Sequence, residues 1–460
     1  MKKLAATVVC AVAVLSLEAR VHEIKVWRGE TIAEIIPDAC EVKIGKSPLS
    51  VRVGAMMPVK FVSAPFSLDI RERYDRVSWG AKGAGPRVME VSVPADAKSG
   101  VYEFGMVHVK VLDKVLPPAK EWKYYLDLWQ HPWAVARIAN VKPFSKEHYD
   151  AMRPVYELLA TAGQKTLTVS LLDEPWDHQC RDAYHSMVEG DFKLFDEYVE
   201  FGRSCGLGPD ISCYSLCPWK LKEKPGTKEF EERWGAFLKR FAAHLKEKGW
   251  YNDTIMSMDE RSPEEVKAIV ELVHRYAPGM RIAMAGNRKP SDFDGIDIDI
   301  YSQILSHVTS DFLAECKDRT KKGFKTTYYV CCWPIYPNTF LTSANEEAYW
   351  LGVYPAISGL DGFLRWAWNS WPQDPLKEAG FGSWRAGDTF LVYPGAEPSW
   401  RFLQLRNGIV AAEKLRILKK DASFAAEFEK VSKLFDVKKA VEGKCEWWAV
   451  KKAVQDLVNR

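Results

Sequence analysis

The sequence predicts an α/β fold in which a parallel (β/α)8 TIM barrel follows a small β-sandwich and precedes a helical tail. Three observations predict it. Short β-rich runs broken by turn residues fill the first part of the chain. Strand and helix patterns then alternate for roughly 250 residues. Only helical spacing remains from Arg401 onward. The corresponding division is an export signal at 1–19, a sandwich at 20–117, a barrel at 118–405 and a helical tail at 406–460.

The elements follow in order. Lys2 and Lys3 precede the apolar stretch Leu4–Leu17, and Ala19 before Arg20 suits cleavage of a secretory signal. The stretch is too short to span a bilayer comfortably, and no other segment is long and apolar enough. The mature protein is therefore expected to be exported, to a periplasm or outside the cell, with no membrane span. Sandwich strands read at Val21–Trp27, Val51–Val53, Val88–Val93 and Val101–Leu112, with turns at Pro94-Ala95-Asp96 and Lys98-Ser99-Gly100. Pro117-Pro118 makes a stiff boundary.

Eight barrel strands read at Tyr124–Leu128, Leu167–Leu172, Ile211–Leu216, Thr254–Met258, Arg281–Ala285, Ile296–Tyr301, Thr326–Cys332 and Gly362–Trp368. Helical patterns lie between them at Lys146–Ala162, Phe192–Cys205, Glu229–Lys248, Pro263–Tyr276, Asp311–Lys321 and Glu346–Ser358. Pro290 to Gly295 reads as a loop between the fifth and sixth strands. The first strand is followed by no Gly-rich turn, which counts against a dinucleotide fold. In the tail, Leu403–Leu415 and Ala422–Phe435 are amphipathic, and a last helix starts near Glu446.

Composition narrows the function. The chain has 460 residues, 47% hydrophobic and 27% charged, and 64 basic against 61 acidic residues leave a formal charge of +3. No long run of one sign occurs, so nucleic acid and anionic membranes gain no electrostatic support as partners. Eighteen Trp and 18 Tyr are many for this length. Such rings stack on apolar sugar faces, and they also fill large cores. The ten Cys show no zinc-type spacing with His, and neither a metal motif nor a phosphate loop is present. Buried thiols with at most one disulfide are expected, and no cofactor.

In a barrel, chemistry sits where strands end and helices begin. The most informative junction is Met258-Asp-Glu-Arg261 followed by Ser262-Pro263. Ser262 with Glu265 fits a capping box, and Pro263 suits the first helical position. Asp259 and Glu260 are thereby left at the barrel mouth. Two readings stand beside each other: the acids complement the helix dipole, or they work as a pair. Asp173-Glu174, ending the second strand, competes with them. Asp127 and Trp129-Gln130-His131 end the first strand, Tyr328 and Tyr329 lie on the seventh, and Trp366, Trp368, Asn369 and Trp371 end the eighth. By period two Trp366 and Trp368 share a face, either barrel core or sugar platform.

At these residues the sequence resembles glycoside hydrolase family 123, the exo-β-N-acetylgalactosaminidases. The likeness is spread over Leu126-Asp-Leu-Trp-Gln-His-Pro132, Met258-Asp-Glu-Arg261, Thr327-Tyr-Tyr-Val-Cys-Cys332 and Tyr336-Pro-Asn-Thr-Phe340. It continues in Asp361-Gly-Phe-Leu-Arg-Trp-Ala-Trp-Asn-Ser-Trp371 and Ala386-Gly-Asp-Thr-Phe-Leu-Val-Tyr-Pro394. The resemblance implies a retaining, substrate-assisted mechanism in which the sugar's 2-acetamido oxygen attacks the anomeric carbon to give an oxazolinium. Asp259 would orient the acetamido group and Glu260 would be the general acid/base. Ordinary retaining enzymes need two carboxyls about 5–5.5 Å apart across the bond, and adjacent residues suit a substrate that brings its own nucleophile. A general acid has to hold a proton near neutral pH, which an ionised neighbour favours.

The resemblance also implies substrate-binding roles. Tyr329, preferred over Tyr328, would bond the acetamido oxygen. Trp366 and Trp368 would wall the N-acetyl pocket, and Asn287 would take a sugar hydroxyl. Asn369, Trp371, Arg261, Trp129, His131 and Asp173 complete the candidate contacts. The implied partner is a glycan or glycoconjugate with a terminal β-N-acetylhexosamine. Two departures appear: the segments 176–191 and 218–227 look shorter than in relatives, and Glu174 sits where the family requires no acid. Two alternatives remain. One is a Glu174/Glu260 pair acting on another sugar; the other is a non-catalytic sugar-binding barrel.

Overall fold

A computed structural model describes residues 21–62, 69–171, 186–188, 190–214, 223–293, 295–380 and 384–460. The N-terminal strands are β1 (His22–Arg28), β2 (Thr31–Ile36), β3 (Ser50–Val62), β4 (Ile70–Trp79), β5 (Arg87–Ser92), β6 (Gly100–Phe104) and β7 (Val107–Val115). They form two sheets, β1-β7-β6 and β2-β5-β3-β4. Alternating apolar residues from both sheets, among them Val26, Ile36, Val91, Phe104 and Val109, meet in one core. The opposite face of the larger sheet carries Ala33, Met56, Val59, Phe61, Val77 and Val88, and these join the main core of the molecule. That sheet is therefore buried on both sides, which is why β3 and β5 hold apolar residues in runs. The strands read from the sequence as examples do not include β2 and β4. The reading also merged β6 and β7, which a turn at Gly105 separates.

The second unit is an eight-stranded parallel sheet that closes into a barrel, matching the predicted class. Its strands are β8 (Tyr125–Leu128), β9 (Thr166–Ser170), β10 (Asp210–Tyr214), β11 (Thr254–Asp259), β12 (Arg281–Gly286), β13 (Ile300–Ile304), β14 (Lys325–Tyr329) and β15 (Gly362–Arg365). They pair in the order β8-β15-β14-β13-β12-β11-β10-β9. The helices around them are α1 (Pro132–Ala139), α2 (Lys146–Ala160), α3 (Lys193–Ser204), α4 (Lys228–Glu247), α5 (Pro263–Tyr276), α6 (Ser310–Lys321) and α7 (Asn345–Ser358). The sixth strand begins at Ile300 rather than Ile296. The apolar alternation at Ile296 and Ile298 belongs to the approach segment, and pairing with β12 starts only where Ile300 meets Ala283. The seventh and eighth strands stop at Tyr329 and Arg365, three residues earlier in each case than the sequence pattern suggested.

Side chains alternate along each strand. Leu126, Val169, Cys213, Met256, Ile282, Tyr301, Tyr328 and Phe363 face the helices. Inside the barrel, Tyr125, Ile255 and Ile300 form a lower apolar layer. Below the mouth the interior turns polar and small. Ser212 and Ser257 share a hydrogen bond of 2.7 Å, Ser302 bonds Thr327, and Thr166 donates to Asp127. Burial pushes the Asp127 carboxyl up to about 6. The ring closes between β8 and β9 through a single bridge, Leu126 to Gln164. Side chains stitch the rest: Leu128 N donates to Gln164 Oε1 (3.0 Å), and Gln130 Oε1 accepts from Thr168 N (2.8 Å).

After a short hairpin of β16 (Val392–Tyr393) and β17 (Glu397–Pro398), α8 (Trp400–Leu418) runs between barrel and sandwich, with α9 (Ala425–Ser432), α10 (Val437–Val441) and α11 (Trp447–Val458) beyond it. A Cβ on Gly352 would meet Leu405 O at 2.6 Å and one on Gly408 would meet Tyr349 O at 2.3 Å, so glycine lets α7 and α8 cross backbone to backbone. Buried ion pairs tie α8 to the sandwich: Arg401 with Asp75, Arg406 with Glu90 and Lys414 with Glu30. The seven described cysteines are all free thiols. Among the described residues no helix is long and apolar enough to cross a membrane. The segment expected to be an export signal lies outside them.

Candidate active site

Strand β11 delivers the acid pair. Ile255, Ser257 and Asp259 are on the interior side of the strand, while Met256 and Met258 pack under the helices. Helix α5 then starts firmly: Glu265 N donates to Ser262 Oγ (3.3 Å), and Ser262 N donates to Glu265 Oε2 (3.1 Å). Between strand and cap, Glu260 has φ +46°. A left-handed glutamate costs on the order of 1–3 kcal/mol and persists only where its surroundings impose it. Here its N–H is tied to Ala285 O at 2.8 Å. The left-handed turn breaks the strand's alternation, so the two consecutive carboxyls are not sent to opposite faces. Both residues are half-buried.

Tyr329 ends β14 and reaches across the mouth to the pair. Its hydroxyl donates to Glu260 Oε1 at 2.5 Å. The phenol is 4% exposed. Burial first, then the charge and hydrogen bond of Glu260 and the charge of Asp259, push its ionisation far above the usual tyrosine range. Tyr329 is therefore a fixed hydrogen-bond donor pointed at the Glu260 carboxyl. Its neighbour Tyr328 goes the other way. It is buried against Tyr354 and Phe363 and donates to Leu351 O at 2.6 Å. The candidate contact of Tyr328 with substrate is thus corrected: strand parity turns this side chain to the helix layer.

An aromatic wall surrounds these groups. Trp129, Tyr214, Tyr329 and Trp366 form one cluster with Ala285, Ile304 and Leu364, and Cys331 and Trp384 pack against it. Trp129 and Tyr214 lie 4.4 Å apart at 54°, and Trp366 and Trp384 lie 5.2 Å apart. The Trp366 indole donates to Asp388 Oδ1 (3.2 Å), and Asp388 is in turn paired with Arg365 at 2.8 Å, both side chains fully buried. His131 is buried, with Nε2 donating to Trp366 O at 3.1 Å. Asn369 accepts from His131 N and donates to His131 O, each at 3.0 Å. These two residues hold the wall from behind.

Trp368 and Trp371 leave the mouth. Trp368 is fully buried against Phe402 of α8, and Trp371 donates to Val392 O at 2.6 Å. The pocket role of Trp368 and the candidate substrate contact of Trp371 are corrected. The strand stops at Arg365, so the two-residue period does not extend to Trp368. Arg261 is buried beside the pair. Asn287 is exposed on the rim, its carbonyl accepting from His307 Nδ1 at 2.7 Å. Asp173 and Glu174 lie outside the described residues. Tyr214, Trp384 and Asp388 were not picked out in the sequence. Tyr214 had a signal, since it stands two positions beyond the inward Ser212 at a strand's end. Asp388 stood in the segment Ala386–Pro394 that carried the family likeness, though without an assigned role, and Trp384, on irregular chain, had no signal.

A parallel barrel whose strand ends gather paired acids within a wall of rings is the architecture of an enzyme that cleaves glycosidic bonds, and comparison with known proteins agrees on that class. The family description "Glycoside hydrolase 123, catalytic domain" matches residues 129–418. The chain belongs to glycoside hydrolase family 123. Among solved structures, a family 123 glycoside hydrolase from Clostridium perfringens, described in terms of glycolipid glycan hydrolysis, superposes with a TM-score of 0.81 at 21% identity, covering 96% of this chain and 94% of that one. It shows the fold. The xylanase 10B modules of Clostridium thermocellum reach a TM-score of only 0.38 at 8% identity, covering 83% of this chain and 84% of that one, and carry no argument. The same holds for a family 5 xyloglucanase from Paenibacillus pabuli, with a TM-score of 0.38, 9% identity and coverage of 64% and 99%. No curated protein matches the sequence. Family membership sets aside the non-catalytic sugar-binding alternative.

Proposed function

We propose that the protein is an exo-acting, retaining β-N-acetylgalactosaminidase that removes terminal N-acetylhexosamine from glycans by substrate-assisted catalysis. One observation carries the reading: Asp259 and Glu260 are neighbours on one strand end, Glu260 is held left-handed, and Tyr329 donates to its carboxylate. In the first step the acetamido oxygen of the substrate bonds to the anomeric carbon as the glycosidic bond breaks, and Glu260 gives its proton to the departing oxygen. Asp259 accepts a hydrogen bond from the acetamido N–H, which keeps its proton, and its charge stabilises the positive oxazolinium. In the second step Glu260 takes a proton from water, whose oxygen attacks the same carbon and reopens the ring. Two displacements leave the configuration unchanged. Trp366 borders the side that takes the sugar's N-acetyl methyl, and Trp129, 2% exposed, packs with Tyr214 in the same cluster. Glycolipid glycans, the substrates named for the C. perfringens protein, are the natural first class to try.

The test is hydrolysis of aryl β-N-acetylgalactosaminide beside the matching glucosaminide. Glu260→Gln should abolish turnover and Asp259→Asn should lower it by orders of magnitude, while a substrate with a hydroxyl in place of the acetamido group should scarcely react. Survival of most of the rate in Glu260→Gln sinks the assignment. Export through Lys2–Leu17 belongs to the same proposal, and N-terminal sequencing of secreted protein starting at Arg20 would support it.

A further inference from the structure

We propose that Trp333 is the platform on which the leaving-group sugar rests, so that this residue sets which glycosides are cleaved well. The inference rests on the reading of Glu260 as general acid. That acid must come within hydrogen-bond reach of the glycosidic oxygen, so the leaving group has to lie over the part of the rim nearest Glu260. The loop after β14 borders that part. It follows directly from Tyr329, whose hydroxyl touches Glu260. Cys331 packs against the aromatic wall, and the Cys332 thiol feels the charge of Glu260.

The loop is also stiff. Cys331 N donates to Trp333 O at 3.1 Å, closing a tight turn. From beneath, Asn338 Nδ2 donates to Cys331 O (2.9 Å) and Pro334 O (2.7 Å), and Arg365 Nη1 donates to Val330 O (3.0 Å). Asn338 and Arg365 are fully buried. On this braced turn Trp333 is 50% exposed, although a large apolar ring left in water forgoes the stabilisation that burial brings. The other exposed ring of the loop, Tyr336, has a structural partner: a Cβ on Gly443 would meet it at 2.9 Å. Half of the Trp333 side chain stands open to solvent. A flat, half-open ring carried on a braced turn, four residues after the tyrosine that touches Glu260, suits the apolar face of a pyranose.

The test compares Trp333→Ala and Trp333→Phe with the unaltered enzyme on two substrates. One is a disaccharide with N-acetylgalactosamine β-linked to a second sugar. The other is β-N-acetylgalactosaminyl fluoride, which has no leaving sugar and needs little acid help. Trp333→Ala should lower kcat/KM on the disaccharide by about 10- to 100-fold, as for loss of one aromatic anchor, leave the fluoride within about twofold, and be largely rescued in Trp333→Phe. Equal losses on both substrates, or none on either, overturn the platform. If the unaltered enzyme does not hydrolyse even the fluoride, the acetamido-assisted reading itself fails, and the platform falls with it.

Discussion

Tyr329→Phe removes one atom from the contact that joins β14 to β11. The hydroxyl donates to Glu260 Oε1 at 2.5 Å from a phenol that is 4% exposed. A hydrogen bond to a charged group is worth about 1.5–3 kcal/mol net. Glu260 is partly open to water, so the lower half of that range applies. At about 1.4 kcal/mol per factor of ten, kcat/KM should fall about 10- to 40-fold if the same donor serves the acetamido oxygen or Glu260 in the transition state. Burial and the two carboxylates keep the phenol protonated far into alkaline pH. The ratio of the two enzymes' kcat/KM should therefore stay flat up to pH 10, with no alkaline limb from this tyrosine. Steady-state rates on an aryl β-N-acetylgalactosaminide from pH 5 to 10, with thermal unfolding as a control on folding, make the assay. A change under twofold, or a ratio that converges at high pH, would refute the assignment of Tyr329 as donor.

Other perturbations follow from the same geometry. Arg401→Met strands Asp75, which also accepts from the Tyr393 hydroxyl at 2.7 Å and is fully buried; a loss of about 3–5 kcal/mol is expected in urea unfolding, and Asp75→Leu in the same chain should restore a good part of it. Asp127, pushed up to about 6 by burial, holds its proton in the fold where the unfolded chain would release it. Its contribution to stability is full below the ordinary aspartate pKa and is lost as pH rises through 6, a swing on the order of 3 kcal/mol. Asp127→Asn should flatten the stability profile between pH 4 and 6; an unchanged slope in denaturant titrations would count against it.

Much of this was legible from residue patterns, and the exceptions have physical causes. Strand and helix alternation gave the barrel because a parallel sheet needs a crossover after every strand. The capping box at Ser262 and Glu265 located the acids because a helix start fixes where the preceding strand must end. Tyr329 was favoured over Tyr328, and strand parity explains the separation: Thr327, two positions earlier, bonds Ser302 inside the barrel. The aromatic wall was harder. Trp368 and Trp371 have the composition of a sugar pocket, yet one packs against Phe402 of α8 and the other bonds Val392 of β16, since apolar rings look alike in sequence whether they face a ligand or the core. Trp384 and Asp388 reach the site from irregular chain, where no periodicity exists to read. The left-handed backbone of Glu260 was equally invisible, because glutamate carries no preference for it.

The glutamines at the β8–β9 joint have a meaning beyond local bonding. Seven of the barrel's eight neighbouring strand pairs are held by main-chain ladders that tolerate a two-residue slide with the same groups re-paired. The eighth is keyed by side-chain length. Gln164 serves both the N–H and the C=O of Leu128, and Gln130 exchanges bonds with Thr168. Sliding one strand by two positions would leave these amides and their buried main-chain partners unsatisfied, at about 1–3 kcal/mol for each group. A cylinder closes only at a consistent stagger, so two side chains select the stagger for the whole ring, and with it the height at which Trp129 stands relative to every other strand end.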